Sequence, residues 1–488
     1  MKGIRGIFVF LAALIAVSIL SWFIPLPGRG ASTALSDDRL VIITPHWDGL
    51  RNEFRGAFSA WYKTRTGRTV AVEYLDPGGG GSDCMRYILS EFKRSPEGIG
   101  IDLFFGGGTD PYLDLKKRGL LQPVYPDSSI LNAIPQQLSG IEIYDREGYW
   151  FSPVLSGFGI VYNKWVCAKM GFRAPREWKD LADPAFFSWV GAADPRSSGT
   201  MHMMFELILQ AYGWDEGWRI LTGLSANTRA FSKSASDVPR MTAKGDLAFG
   251  LAVDFYGWAQ VAEAGEDKVG VLLPENLTVI SGDAMAVLKG APHAETALRF
   301  VEFTLSEKGQ KLLYVRKGTE GGPVRQELNR MPVCPDIYAN YRNLSNVRTN
   351  PFEAKGMRAF DMDKASGRWL IVNDLAGNGL IDRTGLLKAA WQKAPGHPDW
   401  VRMPVTEAQA DSLAKNVWKD PVARNRILAE WQKFFEGKYE GITQSPRASL
   451  DSARGARKDD INERHSSFTR SPSGVEGPGE MGAYTRNN

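Results

Sequence analysis

The chain has 488 residues, of which 43% are hydrophobic and 23% are charged, and its formal net charge is +4 at pH 7. This composition is that of a globular protein with enough apolar material for two lobes. The net charge is small for this length and no basic stripe is interleaved with aromatic residues, so nucleic acid is not an expected partner.

The N-terminus has the pattern of an export segment. Lys2 and Arg5 precede an uncharged apolar run over residues 6–27. A basic start before such a run predicts export, and its length is about the ~20 residues that span a bilayer. Residues 1–30 are therefore either a cleaved signal peptide or a retained transmembrane anchor, and the sequence leaves both open. The rest of the chain is expected in the periplasm or on the extracytoplasmic face of the membrane.

In the next part of the chain, short apolar runs alternate with segments that have helical periodicity. Residues 40–47 (LVIITPHW) predict a buried strand that ends in a polar loop, and residues 49–67 predict a helix that stops at Gly67. Two more strands, over residues 69–75 and 101–105, each run into a glycine-containing loop. The pattern predicts an open α/β sheet, in which ligands bind at the loops beyond the carboxyl ends of the strands.

The later elements continue this pattern. Residues 148–164 predict an extended segment, and residues 245–260 predict a strand, a turn and a helix. Residues 278–290 predict a segment that returns the chain to the first lobe. Helical periodicity covers the region from 340 to 441, whereas residues 442–488 contain too few aliphatic side chains to offset chain entropy and are predicted to be disordered.

Three hydroxyls and a glycine stand directly before one apolar helical run. Ser197, Ser198, Gly199 and Thr200 precede the helix predicted over residues 203–212. One interpretation is capping, because Ser and Thr satisfy the free N–H groups of a first helical turn. The other is anion binding by the same N–H groups at the positive end of the helix dipole.

Several segments together resemble a known family. The chain is similar to extracellular solute-binding proteins of ABC importers, in the family that includes the ferric-iron, phosphonate and sugar-phosphate binding proteins. The resemblance covers roughly residues 40–325 and follows the family order. It is carried by GIVYNK (159–164), REWKDLADPAFF (176–187), ADPRSSGT (193–200), AKGDLAFGLAVDF (243–255) and TVISGDAMAVLKGAPH (278–293).

The resemblance implies the fold and its division. The expected fold is an α/β, two-lobed periplasmic-binding-protein-like fold of type II, with hinge crossing segments and a helical C-terminal extension. The implied division is lobe 1 over residues 38–145 and 278–335, lobe 2 over 146–277, a helical extension over 336–441 and a tail over 442–488.

The resemblance also implies where a solute binds. Loops at strand ends give a set of candidate ligand residues, with Ser156 added from the predicted crossing segment. The set is His46, Trp47, Asp48, Gly107, Gly108, Thr109, Ser156, Ser197, Ser198, Gly199, Thr200, Asp254 and Tyr256. Iron-binding members use adjacent tyrosines near the position of Tyr256, where this chain has Phe255, which argues against direct coordination of bare ferric ion.

Other chemistry is weakly indicated. His202 and Glu206 share a helix face at a metal-pair spacing, although a core contact or an ion pair is the favoured interpretation. The sequence contains no H-E-x-x-H and no G-x-S-x-G motif. Cys84, Cys167 and Cys334 have no C-x-x-C spacing, which favours three buried thiols. No catalytic residue, metal or cofactor is therefore expected.

The expected function is that of a non-enzymatic receptor. It captures a small polar, anionic solute in a cleft between its lobes and delivers it to an ABC permease in the membrane. The solute is a phosphate ester, a phosphonate, a ferric chelate or a carboxylate. The alternatives are a membrane-anchored sensory or scaffold protein that reuses the fold, and an extracellular hydrolase, which would turn over its ligand.

Overall fold

A computed structural model describes residues 36–78, 80–353 and 360–445 of the chain. The predicted signal peptide or anchor and most of the predicted tail lie outside these ranges. Among the helices within them, none has the length and apolarity needed to cross a membrane.

The strands and helices follow the predicted alternation up to about residue 290. The strands are β1 (Asp38–Ile43), β2 (Val70–Leu75), β3 (Leu103–Phe105), β4 (Gln137–Leu138), β5 (Ile141–Glu142), β6 (Phe151–Asn163), β7 (Val190–Ala193), β8 (Thr228–Ser232), β9 (Phe249–Val253), β10 (Val269–Leu272), β11 (Ile280–Val287) and β12 (Met331–Pro332). The helices are α1 (Asp48–Thr66), α2 (Gly81–Arg94), α3 (Asp110–Lys117), α4 (Ser128–Leu131), α5 (Lys164–Met170), α6 (Gly199–Tyr212), α7 (Trp214–Asn227), α8 (Asp237–Lys244), α9 (Asp254–Ala264), α10 (Ala294–Leu305), α11 (Glu307–Tyr314), α12 (Pro335–Tyr341), α13 (Met362–Gly367), α14 (Trp369–Ala376), α15 (Thr384–Lys393), α16 (Glu407–Asn416) and α17 (Pro421–Gln444). Short 3₁₀ turns lie at Trp178–Ala182, Pro184–Phe186, Arg342–Leu344 and Pro398–Val401, and a π-helical turn lies at Gly377–Ile381.

The chain divides into two compact units. The first comprises the residues up to Gly159 together with Val253–Phe360, and the second comprises Ile160–Ala252 together with the residues from Asp361 onward. Residues 253–277, which the sequence analysis placed in lobe 2, thus belong to the first unit. The second unit takes in the helices from α13 to α17, which we call the extension (residues 361–445).

The first unit is built on a mixed sheet. Strands β2, β1 and β3 lie side by side and parallel. Strand β11 pairs antiparallel with β3 and with β6, which confirms the predicted return of the chain. Because β2 lies on one side of β1 and β3 lies on the other, the strand order reverses between β1 and β3. In open α/β sheets such a switch point is where ligands bind.

Helix α1 packs on this sheet through an apolar stripe. Leu50, Phe54 and Phe58 are all buried, at the spacing that places side chains on one helical face. Phe58 contacts Phe300 of α10 edge to face, with 5.0 Å between ring centroids. The helix ends at Gly67, whose φ of 74° is the left-handed conformation that a C-terminal glycine adopts without strain.

Three strands of the second unit run parallel to one another. Strand β7 lies between β8 and β9 and is parallel to both. Helix α7 is buried along most of its length, and the extension packs against it. Trp391 of α15 donates its indole N–H to the Asn227 side chain at 3.2 Å.

Three details differ from or complete the sequence expectations. Strand β9 passes directly into α9, so Asp254 and Tyr256 lie in the first helical turn and not at a strand end. Helix α17 continues to Gln444, past the predicted boundary at 441, because Ile442 is buried in the extension. The three cysteines are buried free thiols, as expected.

Candidate functional site

The loops that follow β1 and β3 meet at the switch point of the first sheet. His46 follows β1, and its backbone N–H donates to Thr44 Oγ1 at 3.1 Å. Its imidazole is 92% buried and contacts Phe105, the last residue of β3, edge to face at 4.6 Å. Burial lowers the pKa of His46 to about 4, so the ring is uncharged at neutral pH.

The turn after β3 is made of three glycines with positive φ. Gly106, Gly107 and Gly108 have φ of 105°, 101° and 78°. A Cβ at Gly106 would lie 2.7 Å from His46 Nε2, so only glycine allows the imidazole to pack on this backbone. The Gly107 N–H donates to Asp283 Oδ1 at 2.7 Å. Thr109 is the N-cap residue of α3, and its side chain makes no capping hydrogen bond.

An ion pair that the sequence did not reveal lies beside this turn. Asp283 of β11 and Arg330 are both buried, and Arg330 Nη1 lies 3.5 Å from Asp283 Oδ2. The same Nη1 is 3.5 Å from Ser156 Oγ, and the guanidinium carbon lies 3.5 Å from the ring centroid of Phe255. His46 Nε2 lies 3.8 Å from Asp283 Oδ2, too far for a hydrogen bond.

Asp254 brings a second carboxyl group to the cluster. It is 1% exposed, and its Oδ1 accepts the N–H of Gly157 at 3.0 Å. Burial raises the pKa of Asp254 from 3.8 to about 7, although this N–H and the charge of Arg330 favour the ionised form. Burial also raises the pKa of Tyr256, which keeps its hydroxyl protonated.

Several polar atoms of the cluster are buried and lack a partner. Ser152 Oγ lies against the Cβ position at Gly282, the residue before Asp283. Within the described ranges, His46 Nε2, Asp254 Oδ2 and Ser152 Oγ have no hydrogen-bond partner. Most buried polar groups in proteins are satisfied, so such atoms require an explanation. We call the set formed by His46, Gly107, Ser152, Ser156, Asp254, Phe255, Tyr256, Asp283 and Arg330 the switch-point cluster.

The predicted serine and threonine segment lies in the second unit, where β7 leads into α6. We call residues 194–198 the β7–α6 loop. Ser198 is the N-cap residue, and its Oγ accepts the N–H of Met201 at 3.2 Å, which confirms the capping interpretation. The Ser197 hydroxyl donates to the carbonyls of Asp194 and Lys233. Gly199 is exposed and Thr200 is partly exposed, so the first turn of α6 remains accessible from solvent.

The favoured interpretation of His202 and Glu206 is confirmed. The His202 ring stacks on Trp369 with 3.7 Å between centroids, and His202 Nδ1 lies 2.7 Å from Asn373 Oδ1. Arg368 Nε donates to Glu206 Oε1 at 2.7 Å, and both side chains are buried. Across the described part of the chain, no group of three or more His, Cys, Asp or Glu side chains is placed to hold a metal ion.

The structure therefore sorts the predicted residues. It gathers His46, Gly107, Ser156, Asp254 and Tyr256 in the switch-point cluster. Two predicted residues lie apart from its contacts. Trp47 is 46% exposed at the N-cap of α1, and the exposed Asp48 carboxylate pairs with Arg51 at 2.8 Å. Gly108 and Thr109 continue the glycine turn, whereas Ser197, Ser198, Gly199 and Thr200 form a separate cluster in the second unit.

Sequence reasoning missed Asp283, Arg330 and Ser152. Asp283 lies in residues 278–293, one of the segments that carry the resemblance. That segment was the sequence feature from which Asp283 could have been named as a candidate. Arg330 follows a loop with no distinguishing pattern, and only the tertiary structure places it over Phe255.

Comparison with known proteins places this arrangement in a wider group. Residues 99–331 match the family described as bacterial extracellular solute-binding proteins. A Haemophilus influenzae protein of uncharacterised function is 29% identical over 226 residues, which are 46% of this chain and 62% of that protein. The phosphoglycerate transport regulatory protein PgtC of Salmonella typhimurium is 30% identical over 159 residues, 33% of this chain and 39% of PgtC. The matched region thus spans less than two thirds of either relative.

Solved structures share the fold. The periplasmic binding protein AfuA from Actinobacillus pleuropneumoniae, with fructose-6-phosphate bound, is 21% identical with a TM-score of 0.52, over 71% of this chain and 100% of AfuA. Iron-bound HitA from Pseudomonas aeruginosa is 20% identical with a TM-score of 0.52, over 69% of this chain and 98% of HitA. The predicted α/β, periplasmic-binding-protein-like fold with a helical C-terminal region is confirmed.

Proposed function

We propose that the chain is the solute-binding component of an ABC importer, because residues 99–331 match the family of bacterial extracellular solute-binding proteins. It captures a small polar, anionic solute outside the cytoplasm and delivers it to a membrane permease. It acts as a receptor, without a cofactor and without making or breaking a bond in the solute.

The observation that carries the proposal is the state of the polar atoms in the switch-point cluster. Arg330 Nη1 is 3.5 Å from both Asp283 and Ser156, whereas charge-assisted hydrogen bonds are about 2.7–2.9 Å long. The guanidinium is therefore buried yet weakly engaged by these groups. An anionic solute would gain the charge-assisted bonds that Asp283 leaves unmade.

Among the solutes left open by the sequence, a phosphate ester with free hydroxyl groups is favoured. A guanidinium matches the geometry of phosphate oxygens. Hydroxyl groups both donate and accept, so they suit Asp254 Oδ2 and His46 Nε2, which lack partners. The names of two similar proteins refer to this chemistry, phosphoglycerate for PgtC and fructose-6-phosphate for the AfuA structure.

A second set of donors is proposed at the start of α6. The partly exposed first turn carries the free N–H groups and positive dipole end that favour an anion. Because Ser198 caps this helix, replacing it by alanine would cost about 1 kcal/mol in stability as well as any ligand contact. A test of anion binding there must preserve the cap.

Calorimetric titration with phosphoglycerate, fructose-6-phosphate, inorganic phosphate and ferric citrate tests the proposal. We expect saturable binding of a phosphate ester, and a solute at about one hundred times its Kd should add roughly 2.7 kcal/mol of stability. Arg330→Lys keeps the charge but loses the planar fork, so affinity should fall about tenfold or more. Arg325→Lys, at an exposed arginine, is the matched control. Binding of none of the four probes, or full affinity in Arg330→Lys, would refute the proposal.

The second arm of the test uses two substitutions at Ser198. Asn and Asp are both good N-caps, so Ser198→Asn and Ser198→Asp should fold equally well. Only Ser198→Asp adds a negative charge where the anion is proposed to lie. We expect it to weaken phosphate-ester binding while Ser198→Asn does not. Equal affinities in the two variants would refute anion binding at the β7–α6 loop.

A sensory or scaffold role is the second candidate, since the name of PgtC calls that relative regulatory. Both roles predict saturable binding, so binding alone does not separate them. A deletion strain should lose uptake of the labelled solute if the chain serves an importer. If it is a sensor, uptake persists and the transcriptional response to the solute is lost. N-terminal sequencing and membrane fractionation would show whether residues 1–30 are retained as an anchor.

A further inference from the structure

The extension touches the β7–α6 loop through an arginine fork. The Arg196 guanidinium donates to both carboxylate oxygens of Asp194, within the loop: Nε donates to Oδ1 at 3.0 Å and Nη2 donates to Oδ2 at 2.7 Å. Its remaining N–H groups donate to both carboxylate oxygens of Asp382, at 2.9 Å each. A Cβ at Gly377, in the π-helical turn of the extension, would lie 2.7 Å from Arg196 Nη1. The extension backbone therefore approaches the guanidinium as closely as glycine allows.

A second contact lies at the first turn of α6. The Trp369 ring comes within 3.5 Å of the Cβ position at Gly199, and its face stacks on His202. One turn further along α6, the buried pair between Arg368 and Glu206 joins the same two elements. The extension thus contacts the loop at Arg196 and the start of α6 at Gly199 and His202. All of these contacts lie within the second unit.

We propose that the extension fixes the conformation of the β7–α6 loop for anion binding, with Asp382 and Trp369 as positioning residues. The inference rests on the proposed function of the loop. A loop whose backbone is already ordered loses less conformational entropy when it binds an anion. Its affinity for the anion is therefore higher. The family match covers residues 99–331, so the β7–α6 loop lies inside the matched region, whereas Trp369 and Asp382 lie outside it.

Hydrogen exchange of the solute-free, full-length protein tests the positioning directly. Asp382→Asn removes the carboxylate charge that accepts hydrogen bonds from Arg196 Nη1 and Nη2. We expect amide exchange in residues 195–202 to accelerate about fivefold, which is the largest change that loss of one exposed ion pair normally produces. Glu430→Gln makes the same charge change at an exposed position of α17 and should leave this segment unchanged. Asp382→Glu retains a carboxylate and should restore most of the protection.

Calorimetric titration with phosphoglycerate supplies the functional readout. The Kd should rise about fivefold in Asp382→Asn and remain that of the parent protein in Glu430→Gln. Unchanged exchange in Asp382→Asn overturns the inference, and so does faster exchange with unchanged affinity. If the parent protein binds neither phosphoglycerate nor the other three probes, the proposed function fails, and exchange alone still decides whether Asp382 orders the loop.

Substitutions at Trp369 provide an independent check. Trp369→Ala removes the ring beside Gly199 and His202, whereas Trp369→Phe keeps an aromatic face there. We expect faster exchange and weaker binding only in the alanine variant. Equal behaviour of the two variants, with thermal unfolding that shows both to be folded, would overturn the role of Trp369. If Trp369→Ala does not fold, the Asp382 variants decide.

Discussion

Replacing Asp254 by asparagine should stabilise the protein by more at pH 8 than at pH 5. The pKa of this buried carboxyl rises from 3.8 to about 7 on folding. The folded state therefore holds the proton more tightly than the unfolded state, and stability falls as pH rises from about 4 to 7. Each pH unit corresponds to about 1.4 kcal/mol, so the ionised carboxylate costs up to about 4 kcal/mol at pH 8. This value is an upper limit, because local relaxation reduces it.

Asparagine reproduces the protonated carboxyl. Its oxygen can still accept the Gly157 N–H, which Asp254 accepts at 3.0 Å, and it cannot ionise. Urea unfolding of both proteins at pH 5 and pH 8 measures the difference. Asp48→Asn, at a side chain that is 86% exposed, is the control and should show no comparable dependence on pH. An Asp254→Asn protein that is no more stable than the parent at pH 8 would refute the argument.

Three further outcomes follow from the described contacts. Gly106→Ala should destabilise the protein by more than Gly108→Ala in thermal unfolding, because both positions have positive φ but only the first places a Cβ against His46. In the Asp254→Asn protein, which lacks the opposing titration of Asp254, stability should fall as pH drops from about 6.5 to 4, because the pKa of buried His46 lies near 4 in the folded state and the unfolded ring takes up protons first. This loss is measurable by unfolding at a series of pH values. Glu206→Gln should destabilise the protein in chemical unfolding by less than the about 3–5 kcal/mol of a fully uncompensated buried charge, because Arg368 keeps its ion pair with Glu407 at 2.6 Å.

The fold was largely readable from local patterns. The apolar stripe of α1, its stop at Gly67 and the strand and glycine-loop sequence of β3 each depend on neighbouring residues only. The capping role of Ser198 was predictable for the same reason, because a cap binds the N–H of a residue three positions away. The burial of Asp254 at the end of β9 could not be predicted from local patterns. It depends on contact with Gly157, nearly a hundred residues earlier.

The sequence by itself determined the residues that stand at strand ends and helix starts, because those positions follow from periodicity and from glycine and hydroxyl placement. It named His46, Gly107 and Asp254 for this reason. Only the tertiary structure decided which charges meet them. Asp283 and Arg330 come from distant strands and loops, and the extension reaches the β7–α6 loop through Asp382, 186 positions from Arg196. Sequence patterns report a residue's neighbours along the chain, whereas partial burial and ion pairing are set by neighbours in space.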